Sequence, residues 1–452
     1  MLALSVTPAG LPTSISGLRA LIASGELGVD ESIALQHQAV AQHDSFRCVS
    51  NHFERDAGSA PRAQPLAGVG LAHKDVFHMS GTSPDCGMNQ PRRVSTDEAA
   101  VTHRLKREGS SVLAALVMAE HACGATGENR HFPLVLNPLS PDAAVGGSSS
   151  GSAVAVAAGL CYGSLGSDTM GSVRIPAATC GIVGFKPTQG LMPTTGMASL
   201  APSLDTVGIL ARDPDDAATL FFHALGHQEQ VTLFGQAGVH GPSFKRRSPP
   251  SPRIKYALDH EDPGVRLLPD IRNAIVRFVT HLGGDDNPII LPYFASINRY
   301  TDIIFRVEMS NIHLRRLANN PDHLDRGARQ LVLAGACMPS TWYTEALHER
   351  NGLKAAFIQT LFSNADFLVI PALPTGVPDW EDVHTTSPAF KVQPLLDLFA
   401  WMRFVNFLGL PAISVPIAMD QRNRPICVQI LTRPGHDATL LAFAAHAMKS
   451  FL

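Results

Sequence analysis

Residues 146–176 read GGSSSGSAVAVAAGLCYGSLGSDTMGSVRIP. The stretch is rich in Gly, Ser and Ala, yet apolar overall. It is no linker, because the Ala/Val run from Ser152 to Ala158 can pack tightly and the glycines admit close backbone contact. A Gly/Ser turn at 146–152 opens an Ala-rich helix. A second tight turn, Gly166–Ser172, leads to Arg174-Ile175-Pro176, where a further helix can start.

Outward from this segment, the chain alternates strands and helices. Ala67–His73 is a short apolar strand. Thr96–Glu108 is helical, with Gly109 as its cap. Val112–Ala119 is a continuous apolar run of strand length, as expected for a strand covered on both faces. Strand, helix, strand in this order implies parallel pairing with a right-handed crossover, hence an α/β fold. Upstream, residues 17–45 predict two helices broken at Gly25 and Gly28. Downstream, 235–252 (GQAGVHGPSFKRRSPPSP) has linker composition. Arg253–Ala257 follows as a strand. Leu268, Ile271, Ile275, Phe278, Val279 and Leu282 mark one helix face that ends at Gly283. Residues 303–361 read as helices. Asp366–Pro371, Ala412–Ala418 and Cys427–Thr432 read as strands, and Asp437–Phe451 as a closing amphipathic helix.

Composition narrows the function. The 452 residues carry 36 Lys+Arg against 39 Asp+Glu, a net charge of −3. That balance argues against a nucleic-acid or anionic-membrane binder. Apolar residues at 45% supply a large core. The longest apolar stretches, near Ala153–Leu165 and Phe407–Met419, are too short or too interrupted to span a bilayer. No signal peptide is read at the N-terminus. The seven cysteines are scattered, without zinc or redox spacing, so reduced thiols and a cytoplasmic location are expected.

Three segments can carry chemistry: His73-Lys74-Asp75 at a buried strand end, Gly146–Ser152, and Gly166–Pro176. A serine hydroxyl is a poor nucleophile until a base takes its proton. A lysine neutralised by burial can be that base, and backbone N–H groups at a Gly turn can hold an oxyanion. Other readings stay open at this level. Lys74 can snorkel to solvent, Ser148–Ser152 can be a turn and helix cap, and Ser172 can cap a helix. Gly147–Gly151 also matches the G-x-S-x-G nucleophile elbow, but Asn137–Val145 before it is a Pro/Asp loop rather than a strand. The Gly/Ser loop lacks the lysine of a phosphate-binding loop. His73 and His78, His121 and His131, and His436 and His446 form no helical ligand pair. They read as satisfied core or surface residues, and no metal site is expected.

Taken in order, these segments resemble the amidase signature family over nearly the whole chain. The resemblance rests on Lys74-Asp75, Asn137-Pro138, GGSSSGSAVAVAAG at 146–159 and GSDTMGSVRIPAATCGIVGFKPTQG at 166–190. It continues through Ser203-Leu204-Asp205 with Gly208 and Arg212, and LGLPAISVPIAMDQRNRPICVQIL at 408–431. It implies a single domain over 1–452 built on a large, twisted, mostly parallel mixed sheet flanked by helices on both faces. Within it, 1–60 are N-terminal helices, 61–215 the signature core, 235–252 the linker, 303–361 a variable helical region shaping the substrate pocket with Trp342 and Tyr343, and 362–452 the closing strands and helix.

The resemblance also implies a Ser–cis-Ser–Lys triad: Ser172 as nucleophile, Ser148 as the cis-Ser and Lys74 as base. Ser148 is chosen over Ser149 because it directly follows Gly146-Gly147. The N–H groups of Thr169, Met170, Gly171 and Ser172 are the implied oxyanion hole. Ser149 is expected to support Ser148 by hydrogen bonding, and Asp168 and Arg174 to brace the loops. Neither a metal nor an organic cofactor is implied. The chemistry is hydrolysis of a small carboxamide or urea-like amide, releasing ammonia or an amine. Two departures stand out: Ser150 and Met170 occupy positions where the family usually has Gly. Some members acting on small urea-like amides also have a non-Gly residue at the latter, and the resemblance extends to such members, of which carboxybiuret hydrolase is an example. The other readings are an inactive scaffold and a partner-dependent amidotransferase-type subunit. A homodimer or a small partner subunit stays open.

Overall fold

The Ala/Val run after Ser149 forms the helix Ser150–Ala157, none of whose residues is exposed. Its small side chains let neighbouring backbone come close. A Cβ at Gly151 would stand 2.5 Å from the Cys48 carbonyl oxygen, nearer than real contacts allow. The computed structural model describes residues 11–42, 44–54, 60–234, 251–260 and 266–451. The linker expected at 235–252 therefore lies almost wholly outside the described residues.

The strands are β1 (Val49–His52), β2 (Gly70–Lys74), β3 (Ser111–Leu116), β4 (Gly163–Asp168), β5 (Val183–Lys186), β6 (Thr206–Ala211), β7 (Ile254–His260), β8 (Ile289–Leu291), β9 (Phe367–Pro371), β10 (Ala412–Met419) and β11 (Pro425–Leu431). The β-α-β unit read from the sequence is present. β2 and β3 pair in parallel, joined through the helix Ala100–Arg107, and β1 adds antiparallel to the far side of β3. A larger sheet of eight strands runs β4-β6-β5-β10-β11-β9-β7-β8. The fold is thus mixed α/β, with helices Ser150–Ala157, Arg174–Thr179, Pro214–Ala224 and Asp437–Phe451 packed against its strands.

The expectation of mostly parallel pairing is corrected. Five of the seven pairings in the large sheet are antiparallel, and only β7–β9 and β7–β8 are parallel. A continuous apolar run reports that both faces are covered; it says nothing of direction. β4, β5, β6 and β11 are buried end to end and still antiparallel. β10 and β11 are joined by the short turn 420–424, which permits only an antiparallel hairpin.

The helical region matches expectation but begins earlier. Its first helix spans Phe294–Asn319, and Phe294, Ile297 and Ile304 already face the core. Helices Arg326–Ala336 and Ser340–Phe362 follow. The last helix spans Asp437–Phe451, as the apolar periodicity predicts. No helix among the described residues is long and apolar enough to cross a membrane.

Candidate active site

Lys74 is the last residue of β2 and is fully buried. Its ammonium nitrogen does not snorkel: Nζ lies 2.7 Å from Ser148 Oγ and 2.8 Å from Ser167 Oγ. Burial lowers its pKa to about 7, against the pull of the Asp205 and Asp168 carboxylates. Near neutrality a large share of Lys74 is therefore unprotonated and able to accept a proton. The Gly147–Ser148 peptide is cis. The Ser148 carbonyl accepts from the Ala119 N–H at 3.0 Å, and the Ser149 N–H donates to the Ser172 carbonyl at 3.3 Å. The ends of β2 and β3 and both Gly/Ser turns thus converge on one point. Lys74 and Ser148 are 0% exposed, and Ser172 is 8% exposed.

The turn that carries Ser172 is built on Asp168, the last residue of β4. Its carboxylate accepts from the backbone N–H of Gly171 at 2.8 Å and Val173 at 3.2 Å. It also takes Arg174 Nε at 3.0 Å and Nη2 at 2.9 Å. Arg174, itself fully buried, donates further to Gln429 Oε1, Asn406 Oδ1 and the Met402 carbonyl. Burial opposes the Asp168 charge, but the Arg174 guanidinium beside it holds the carboxyl well below the usual range. Gly171 sits at φ +114°, and a Cβ there would stand 2.7 Å from Met402 Cβ. A left-handed, closely packed turn of this kind admits only glycine.

Two expectations change. The Gly171 N–H is engaged by Asp168 and does not face the site, which leaves Thr169, Met170 and Ser172 of the expected oxyanion donors. No hydrogen bond among the described residues engages the N–H of Met170 or Ser172. Ser149 does not support Ser148 through its hydroxyl. Its Oγ is buried without a partner among the described residues and packs against Gly166, so its backbone N–H does the bracing. The Ser150 departure is absorbed, since its Oγ donates to the Val117 carbonyl at 3.3 Å. Met170 is partly buried and packs on the main core. Trp342 is half exposed, and Tyr343 donates to Glu308 at 2.9 Å.

Some residues escape the sequence reading. Ser167 is the second hydroxyl on Lys74, and Asp205 fixes the turn from below by accepting from Thr169 Oγ1 at 2.6 Å. Asn406 donates to both the carboxylate and the carbonyl of Asp168. A serine beside an aspartate in a buried strand is the available signal for Ser167; Asn406, 238 positions away from Asp168, leaves none. The histidines are also corrected. His73 Nδ1 accepts from the Leu165 N–H, but His73 Nε2, His121 Nε2 and His313 Nε2 are buried and unpartnered among the described residues.

The family model described as amidase matches residues 32–441. The chain belongs to the amidase family. Its members hydrolyse amide C–N bonds, and this protein is an amidase-family hydrolase. It is 30% identical to a glutamyl-tRNA(Gln) amidotransferase subunit of Prochlorococcus marinus (strain NATL2A), over 94% of this chain and 95% of that one. A solved structure from a vestigial protein complex that bears on the origins of an s-triazine catabolic enzyme superposes with a TM-score of 0.83 at 24% identity, covering 96% of this chain and 98% of that one. A 6-aminohexanoate cyclic dimer hydrolase complexed with substrate gives 0.83 at 22% identity, with 97% of each chain covered. These two likenesses show the fold.

Proposed function

We propose that this amidase hydrolyses a small carboxamide or urea-like amide through an acyl-enzyme on Ser172. One observation carries the reading: a fully buried lysine, with its pKa lowered to about 7, contacts the hydroxyl of Ser148 at 2.7 Å. Neutral Lys74 takes the proton of Ser148 as Ser148 takes that of Ser172. Ser172 Oγ forms a bond to the amide carbon, and the carbonyl π electrons move to oxygen. The N–H groups of Thr169, Met170 and Ser172 stabilise that oxyanion. Collapse breaks the C–N bond. The leaving nitrogen receives its proton from Lys74 through Ser148 and departs as ammonia or an amine. Water then attacks the ester by the same relay and releases the acid. Asp168 and Arg174 position the turn and move no proton.

The urea-like half of the proposal rests on Met170, a non-Gly residue two positions before the nucleophile, which is partly buried and packs on the main core. Carboxybiuret and similar compact urea-like amides are the first substrates to screen. The proposed compartment is the cytoplasm, a reading supported by seven scattered cysteines, none of them in a disulfide. The test is intact-mass labelling with a fluorophosphonate on wild type, Ser172→Ala and Lys74→Ala. The expected result is one adduct on wild type, none on Ser172→Ala and slow labelling of Lys74→Ala. No adduct on folded wild type overturns the reading in favour of an inactive scaffold.

A second reading, a partner-dependent subunit delivering ammonia, is favoured by the amidotransferase relative. It predicts that the isolated chain labels at Ser172 but releases ammonia from amides only when co-purified with another subunit.

A further inference from the structure

Outside the triad, three histidines from three separated segments converge. His121 follows β3, His313 lies on the helix Phe294–Asn319, and His323 lies in the short turn Pro321–His323. Their ring centroids form a triangle with sides of 4.8, 4.7 and 5.4 Å. His313 Nδ1 and His323 Nε2 are 3.2 Å apart, and one nitrogen from each of the three rings lies within 4.8 Å of the other two. A tetrahedral metal with nitrogens at about 2.05 Å separates its ligand atoms by about 3.3 Å. The His313–His323 pair already has that spacing, and His121 closes the set by a small ring movement.

The surroundings hold the three segments together. Glu120 accepts from Arg130 Nε and Nη2 and from the Asp325 N–H, and Arg130 also donates to the Asp322 carbonyl. This clamp ties the His121 loop to the His323 turn without using any of the three imidazoles, His131 being the one ring that joins it. Other charged groups facing the cluster are Arg316 and His131. His313 is buried while His121 and His323 are partly open, so an ion can enter. His121 Nε2 is buried without a partner among the described residues, which is costly, and a metal ligand bond there would satisfy it.

We propose that His121, His313 and His323 form a binding site for a late first-row divalent cation, zinc above all, with a fourth position open to solvent. Neutral imidazole is the ligand such ions prefer. The site adjoins the catalytic loop: two residues before His121, Ala119 donates to the Ser148 carbonyl, and Gly124 packs its carbonyl oxygen against Gly147.

The experiment uses the full chain, stripped with EDTA. Co2+ is titrated while its visible absorption is followed, and Zn2+ is titrated by calorimetry and thermal melting. Expected are one ion per chain, a tetrahedral-type cobalt spectrum, and a melting temperature raised by a few degrees with excess Zn2+. His313→Ala and His121→Ala should each weaken binding at least about 100-fold. His323→Ala, at a partly exposed position that tolerates truncation, should do the same with its melting curve intact. No saturable binding, or binding unchanged in folded His323→Ala, overturns the proposal. None of these readouts requires activity, so failure here leaves the Ser172 reading standing.

Discussion

Two lysines end two buried strands of this protein, Lys74 on β2 and Lys186 on β5, and neither is exposed. Burial lowers both to a pKa of about 7. Their partners differ. Lys74 faces the hydroxyls of Ser148 and Ser167, whereas Lys186 donates to the Pro187 carbonyl at 2.8 Å, with the Arg174, Asp168 and Asp437 charges around it. A hydroxyl has a proton to give and a carbonyl has none. A perturbed pKa therefore marks where a base is possible; only the neighbouring acid decides where one works.

The largest test of this contrast is deletion. Lys74→Ala should lower kcat/KM for amide hydrolysis by at least about 1000-fold, as should Ser172→Ala. Lys186→Met should stay within about threefold of wild type. Equal losses, in variants with matched melting curves, would break the comparison. Ser167→Ala removes one of the two hydroxyls that orient Lys74. A drop of about 10- to 100-fold is expected, with a shifted kinetic pKa. An unshifted midpoint would mean that Ser167 serves structure alone.

The pH profile sharpens the contrast further. Activity needs neutral Lys74, so kcat/KM should rise about tenfold per pH unit below pH 7 and level off above it. Lys186→Met should leave that midpoint in place. The smallest effect is on stability. Unfolded lysines hold their protons up to the ordinary value of 10.5, while the folded ones lose theirs near 7. Between these values the unfolded state binds more protons, so stability rises with pH, by about 1.4 kcal/mol per pH unit for each lysine. Below about pH 7 both states are protonated and the gain is absent. Urea melts across this window should show a shallower slope for Lys186→Met, and an unchanged slope would mean that Lys186 is not neutral in the folded state.

The legible parts of the molecule are local. Helix Asp437–Phe451 and the β2–β3 unit follow from apolar periodicity and glycine punctuation. Lys74, Ser148 and Ser172 stand out because each sits in a motif. The direction of the large sheet's strands is not legible, because burial on both faces erases the alternation that distinguishes an antiparallel strand. The role of Ser149 is not legible either. A hydroxyl and its own N–H leave the backbone in different directions, and only packing against Gly166 shows which one braces the site.

The histidine cluster shows the same limit. His121 lies about two hundred positions from His313 and His323, and no spacing rule joins them; the Glu120–Arg130 clamp does. By itself the sequence determined the family, the strand ends and the three residues of the candidate triad, since these depend on patterns a few residues long. Only the tertiary structure decided which lysine meets a hydroxyl, which N–H groups face the site, and which imidazoles share a corner. Hydrogen bonds and burial act over a few ångströms of space, whatever their distance along the chain.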